Sequence, residues 1–395
     1  MKKGWQTKTL GEVLEKTETV NPLQSPNAEF DYIDVSSVSN TTFEIEETQR
    51  LIGKDAPSRA RKLVRTNDII FATIRPRLQR IAVVPPHLDK QVCSTGYFVL
   101  RPKQGIDHRF VFHSLFTEGF TEQMESLQKG ASYPAVTDGD VRAQEIPVPP
   151  LAEQQRIVGL LDEAFKGFAT AKANAEKNVQ NARALFERHL QSVFTQRDPG
   201  WVETRLEEVC GLQNGFAFKS STFKLSGAPI LRISNIQDGR IDAGNRLVFF
   251  DPKDYRENLD RYRIVEDDLL IAMSGATTGK LGFNTEGTVY YLNQRVGKFE
   301  PSEKLNKRFL YHFLSTKVEE NLRISAGAAQ PNLSTEQIKG FVLPLPSVDE
   351  QERIVEALET LSEETQRLAR LYERKLAALT TLKKSLLHQA FTGQL

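Results

Sequence analysis

A six-residue signature stands twice in this chain, Glu153-Gln-Gln-Arg-Ile-Val158 and Glu350-Gln-Glu-Arg-Ile-Val355, at an offset of 350 − 153 = 197 residues. The offset is about half of the 395 residues, so the repeating unit is a whole domain plus helix and not the short module of a solenoid. Prolines precede both copies (Pro147, Pro149 and Pro150; Pro344 and Pro346) and stop any element from running straight through. Ser347-Val-Asp-Glu350 adds capping-box spacing, which predicts a helix start there.

Apolar residues then follow at alternating steps of three and four. The first stripe is Ile157, Leu161, Ala164, Phe168, Ala171, Ala175, Val179 and Ala182; the second is Ile354, Leu358, Leu361, Thr365, Leu368, Tyr372, Leu376 and Leu379. Each is one face of a helix of about 40 residues, roughly 60 Å long. Small residues of the first stripe match large ones of the second (Ala164 with Leu361, Ala182 with Leu379), as expected of two unequal helices packed together. Asp198-Pro-Gly200 ends the first helix, and a new globular half starts at Trp201. The second helix leaves that same half, so side-by-side packing makes the pair antiparallel.

The repeat continues through the globular halves. Trp5, Leu10 and Val13 answer Trp201, Leu206 and Val209, and Val35-Ser-Ser-Val38 answers Ile233-Ser-Asn-Ile236. Asn67-Asp-Ile-Ile-Phe71 and Asp267-Asp-Leu-Leu-Ile271 predict matching short strands; Arg109-Phe-Val-Phe-His113 and Arg308-Phe-Leu-Tyr-His312 predict matching helices with His113 and His312 in one register at the core edge. The expected fold class is α+β: two homologous strand-rich globular halves (mixed α/β) held apart by two long antiparallel helices, a pseudo-two-fold internal repeat. The expected domains are 1–150, the helix 151–196, 197–346 and the helix 347–395.

Composition bounds the function. No apolar run approaches the roughly 20 residues of a membrane span, and Met1-Lys-Lys-Gly-Trp5 does not lead into a signal peptide, so a cytoplasmic protein is expected. Cys93 and Cys210 lie at unrelated repeat positions without neighbouring ligands and read as buried thiols. With a net charge of +1, any nucleic-acid surface has to come from local segregation. One such segment exists: Arg59, Arg61, Lys62, Arg65, Arg75, Arg77 and Arg80 stand against Asp68 alone.

The halves diverge after the matched strand, where Thr73-Ile-Arg-Pro-Arg-Leu-Gln-Arg80 faces Met273-Ser-Gly-Ala-Thr-Thr-Gly-Lys280. Arginines can fork onto guanine edges or phosphates, and Ser274, Thr277, Thr278 and Lys280 around glycine can approach a backbone closely. A duplicated scaffold with exchanged loops suits two related but different ligands. Further loop candidates are Ser94-Thr95, Ser132, Tyr133, Lys219, Arg232, Asn293 through Arg295, and Gln330 through Asn332.

Catalytic motifs are missing. Gly275-Ala-Thr-Thr-Gly-Lys280 has three residues between its glycines where a phosphate loop needs four, and Leu281 follows the lysine. Gly-x-Ser-x-Gly, His-Glu-x-x-His and Cys-x-x-Cys do not occur, and Asn21-Pro-Leu lacks the second proline and aromatic of an adenine methyltransferase. Catalysis by this chain alone is not expected, and neither a cofactor nor a metal ligand set is.

Two variable halves, each followed by a long helix opened by prolines and Glu-Gln-x-Arg-Ile-Val, resemble the specificity subunit of type I restriction-modification enzymes. Leu382-Lys-Lys-Ser-Leu-Leu-His-Gln-Ala-Phe-Thr-Gly-Gln-Leu395 is similar to that family's ending, and the likeness covers essentially the whole chain. The first helix departs from this ending, although Phe194-Thr195 and Phe391-Thr392 keep the 197-residue offset. The resemblance implies that 1–150 and 197–346 are target recognition domains, each reading half of a bipartite double-stranded DNA sequence, with the helices setting the gap. It also implies two methyltransferase subunits carrying S-adenosylmethionine that flip out an adenine for N6 methylation, and restriction subunits using ATP and Mg2+. Two other readings are a helical-strut adaptor with two protein-binding domains, which leaves the basic segment unused, and a self-sufficient nuclease or methyltransferase, against which the missing motifs weigh.

Overall fold

The computed structural model describes residues 4–130, 132–195, 200–237, 239–244, 247–325 and 332–395. The chain forms two compact units, Met1–Lys177 with Tyr372–Leu395, and Asn178–Leu371. Each unit therefore takes one globular half and a part of both long helices, Leu151–Thr195 and Val348–Thr392, each 45 residues.

In the first unit, strand Gln6–Thr9 pairs antiparallel with Glu145–Val148 and brings the two ends of the globular half together. A four-stranded sheet runs in the order Gln49–Ile52, Glu29–Ile33, Val92–Ser94, Ala60–Leu63, and a three-stranded one runs Ile81–Val83, Ile69–Ala72, Tyr97–Leu100. The second unit repeats this plan. Val202–Arg205 pairs with Val342–Leu345, and the four-stranded sheet runs Val248–Phe250, Ala228–Leu231, Tyr290–Leu292, Arg263–Ile264. Its central strand Leu269–Ala272 lies between Leu281–Phe283 and Val296–Pro301, in a sheet widened to six strands.

The matched sequence segments form matched elements. Asn67 and Asp267 both take left-handed backbone (φ 68° and 64°), and Asp68 and Asp268 each accept a hydrogen bond from the amide three residues earlier, at 2.8 Å in both copies. Asx side chains tolerate that geometry, so the same turn delivers both apolar strands, Ile69–Ala72 and Leu269–Ala272, fully buried. Asp107 and Asn306 cap the helices carrying His113 and His312, each accepting two amides within 3.1 Å.

The long helices pack on one another inside each unit, and their direction is antiparallel. In the first, Ile157 and Leu161 near the start of one helix share a core cluster with Leu387 and Ala390 near the end of the other and with Phe110 of the globular half. In the second, Leu190 and Phe194 share a core with Val355 and Leu358. Of the expected stripe, Ile157, Leu161, Ala175, Ala182, Leu358 and Thr365 are buried, and Phe168, Ile354 and Leu379 are half-buried. Leu368 is a correction: it is 40% exposed, and Ala369 is buried in its place. The true helical period of 3.6 puts residue 369, not 368, under the seam after Thr365.

The signature motif has a structural reason that its sequence did not disclose. Gln154 and Gln351 are both at most 1% exposed. Gln154 Oε1 accepts the Asp107 amide (2.8 Å), and its Nε2 donates to the carbonyls of Pro149 (2.8 Å) and Gly105 (3.3 Å). Gln351 makes the same three bonds to Asn306 (2.7 Å), Pro346 (3.0 Å) and Lys304 (2.9 Å). Each glutamine thus satisfies loop groups that burial would otherwise strand, and it fixes the helix start to its globular half. At the second helix start, Ser347 Oγ accepts the Glu350 amide at 3.4 Å, and the Glu350 carboxylate pairs with Arg353.

Candidate nucleic-acid interface

The loops that follow the two central strands are closed by matched backbone hydrogen bonds, while their 3-10 turns, Pro76–Leu78 and Gly275–Thr277, lie one residue apart in register. Carbonyls of Arg80 and Lys280 accept the amides of Ala72 and Ala272 (3.0 and 2.9 Å), which closes both loops at the same point. Thr73 and Met273 each bridge two flanking segments, donating to Gly96 and Arg295 and accepting from Val136 and Leu333. Left-handed residues then stand at matched places: Arg75 (φ 50°) and Gln79 (φ 49°) in the first loop, Gly275 (φ 78°) and Gly279 (φ 84°) in the second. Glycine accepts this conformation freely, whereas a side chain there costs on the order of 1 kcal/mol. The first loop carries that cost twice.

The basic segment of the first half divides into two groups. Lys62 Nζ donates to the Tyr97 carbonyl (2.6 Å) and to Asp138 (2.8 Å), and Arg65 pairs with Glu18. Arg80 reaches the carbonyls of Val35 (3.3 Å), Ser36 (3.2 Å) and Val38, which pins the 3-10 turn Val35–Ser37. Arg61 bonds its neighbour's carbonyl, Ala60. These residues hold the scaffold. Arg59, Arg75 and Arg77 remain exposed, and the guanidinium groups of Arg75 and Arg77 have no hydrogen-bond or ion-pair partner among the described residues.

Arg75 does meet another sequence candidate. Its guanidinium carbon lies 5.4 Å from the ring centre of Tyr133, which is 72% exposed and next to exposed Ser132. The Arg75 amide donates to Pro134 at 2.7 Å, and Ile74 bridges Ala135, so backbone pairing sets this contact. Arg59 joins the same edge, because its carbonyl accepts the amide of exposed Thr95 (2.8 Å); Ser94 itself is buried.

In the second unit the candidates sort differently. Thr277 donates to the Ile233 carbonyl (2.9 Å), the task Arg80 performs on Val35, and Lys280 approaches Gln237 Oε1 at 3.4 Å. Thr278, whose hydroxyl donates to Gly275 (2.7 Å), and Ser274 are buried, 3% and 5% exposed. Arg295 is exposed and lines a cleft of about 510 Å³ with Asn214, Ser274, Asn332 and Thr335. Arg232 and Asn293, both half-buried, directly follow the parallel neighbours Ala228–Leu231 and Tyr290–Leu292. Asp34 and Ser94 hold the corresponding places in the first half, so the charge at this position is inverted. Lys219 is exposed, and its amide donates to Tyr255 Oη at 3.0 Å. Gln330 lies outside the described residues.

Other titratable groups are built into the cores. Burial pushes the thiols of Cys93 and Cys210 up to about 12, away from thiolate chemistry. Burial also lowers His113, against the opposing pull of Asp162, whose Oδ1 is 2.8 Å from Nε2; burial and Arg308 lower His312 to about 4. No cluster of three or more His, Cys, Asp or Glu suited to a metal ion occurs among the described residues. Nor is any helix among them long and apolar enough to cross a membrane.

Paired strand-rich domains with altered loops on a common backbone, joined by long antiparallel helices, define a class of two-domain readers. The family model for the type I restriction modification DNA specificity domain matches residues 2–179 and 199–373, and the chain belongs to that family. It is 26% identical over 328 residues to the type I restriction enzyme MjaVIII specificity subunit of Methanocaldococcus jannaschii, covering 78% of this chain and 75% of that one. A solved structure described as the basis of complex assembly and conformational transition of the type I R-M system has 30% identity and a TM-score of 0.86, covering 100% of this chain and 99% of its own. The crystal structure of the HsdS subunit from Thermoanaerobacter tengcongensis has 30% identity and a TM-score of 0.73, covering 100% and 98%. The chain is thus a specificity subunit with two DNA-recognition domains, working with other restriction-modification subunits.

Proposed function

We propose that each recognition domain reads one half of a bipartite duplex target through the loop edge described above. Arg59, Arg75, Arg77, Ser132 and Tyr133 serve the first half, and Lys219, Arg232, Asn293 and Arg295 the second. What carries the reading is one scaffold used twice, with different side chains exposed at matched positions along the same edge, since a fixed frame with exchangeable contacts yields two separate preferences. The chain supplies address and assembly. Two methyltransferase subunits bind along the long helices and bring S-adenosylmethionine for N6-adenine methylation, and restriction subunits add ATP- and Mg2+-dependent cleavage.

The helices set the unread spacer in this proposal. Four residues inserted near Asn178 add about 6 Å of rise and turn the helix about 400°, so the apolar stripe nearly keeps its register. At roughly 3.4 Å per base pair, methylation-site sequencing should find both half-sequences kept and the spacer longer by about one or two base pairs. An active complex with an unchanged spacer would refute the ruler.

A further inference from the structure

We propose that Arg75, oriented by Tyr133, is a direct reader of a guanine edge in the major groove of the first half-site, while Arg77 beside it meets phosphate. This deepens the two-reader function and rests on it. Three observations separate the neighbouring arginines. Arg75 occupies a left-handed backbone position where the second copy of the loop has Gly275. The strain is therefore not needed to make the turn; a residue without a side chain makes it equally well. Its guanidinium is packed on an aromatic ring that is itself 72% exposed, and all its donors are left unpaired among the described residues. Arg77 sits inside the 3-10 turn Pro76–Leu78, exposed and without ring or hydrogen-bond contact among the described residues.

Phosphate contact asks only for a positive charge within reach, which a mobile side chain supplies. Base reading asks for a planar fork held in one orientation, because O6 and N7 of guanine accept two parallel bonds. The cation–π contact with Tyr133 restrains the swing of the fork before DNA arrives, and the pinned amides of Arg75 and Thr73 fix its root. The backbone strain and the exposed ring then have a common use.

The test uses the complete complex with its methyltransferase subunits, after methylation-site sequencing has given the target. Duplexes carrying 7-deazaguanine at each guanine of the first half-site in turn are bound by wild type, Arg75→Lys, Arg75→Gly and Tyr133→Ala. One guanine should weaken wild-type binding about tenfold when its N7 is removed, and Arg75→Lys should lower that sensitivity although the charge is kept, because an ammonium lacks the planar fork. Tyr133→Ala should reduce it. Arg75→Gly should lose it too while unfolding at a temperature close to wild type, because it places in the first loop the residue the second already uses. The assignment is overturned if no first-half guanine is sensitive, or if Arg75→Gly keeps the sensitivity at the same guanine. A wild-type complex without any half-site preference would overturn the two-reader function itself, and this assignment with it.

Discussion

In the first recognition domain the loop 73–79 places two side chains at left-handed positions and turns two arginines outward; in the second, the loop 273–279 places glycines there and turns its hydroxyls inward. The enclosing hydrogen bonds are the same in both. Outward chemistry in the second domain comes instead from the adjacent segment, where Arg295 stands at the position of Gly96. The scaffold thus fixes where contacts can be made, while each copy uses a different one of several matched positions to make them. The positions that tie the loop to the 3-10 turn are filled by Arg80 in one copy and Thr277 in the other, so basic character alone does not mark a reader.

The strongest break in the repeat follows from the seam shared by both units. Leu358 is fully buried, and Leu358→Asp should destabilise the second unit by about 4 kcal/mol or more, because an unpaired carboxylate enters a core. Leu368→Asp, 368 − 358 = 10 residues further along the same helix but 40% exposed, should stay within about 0.5 kcal/mol. Thermal unfolding of the two variants measures the contrast, and equal losses would contradict the packing.

The two matched histidines differ in what surrounds them. His312 is held neutral by burial, with its pKa lowered from 6.5 to about 4. Its contribution is fully present above about pH 6.5 and is lost as pH falls toward 4, since the unfolded chain then binds the proton first; the range is on the order of 3 kcal/mol. His312→Gln should flatten the acid limb of a stability–pH curve. His113→Gln should flatten it less, because Asp162 favours the charged form at that site. A larger effect at His113 would reverse the assignment of causes.

Gln154 and Gln351 supply an equality where the histidines supply a difference. Each makes three bonds to the same places in its own domain, so Gln154→Ala and Gln351→Ala should cost similar amounts, about 2 kcal/mol, by stranding buried loop amides and carbonyls. Chemical denaturation that found one of them neutral would show that the helix starts are fixed differently in the two copies.

Much of this was legible in the sequence because it is periodic. The 197-residue repeat, the helical stripes, the matched strands at Ile69 and Leu269 and the shared register of the histidines all depend on local spacing, which the chain displays directly. What could not be read depends on partners distant in sequence. Tyr133 lies 133 − 75 = 58 positions beyond Arg75, and the backbone pairing of Thr73, Ile74 and Arg75 with Val136, Ala135 and Pro134 joins them. Lys62 and Arg80 look like their neighbours until the carbonyls they reach are known. The glutamines of the signature look like solvated helix residues, since a polar side chain is expected outside unless its buried partners are visible. Leu368 lies one position off the seam because steps of three and four only approximate a period of 3.6, and the smaller Ala369 is the residue that the helix buries.

Replacing Arg75 and Arg77 together by alanine, followed by methylation-site sequencing of cells that carry the complete complex, tests the separation of the two readers most directly. The expected result is a relaxed or weakened first half-sequence, with the second half-sequence and the spacer unchanged. A shift in base preference at both halves, or an altered spacer, would contradict it.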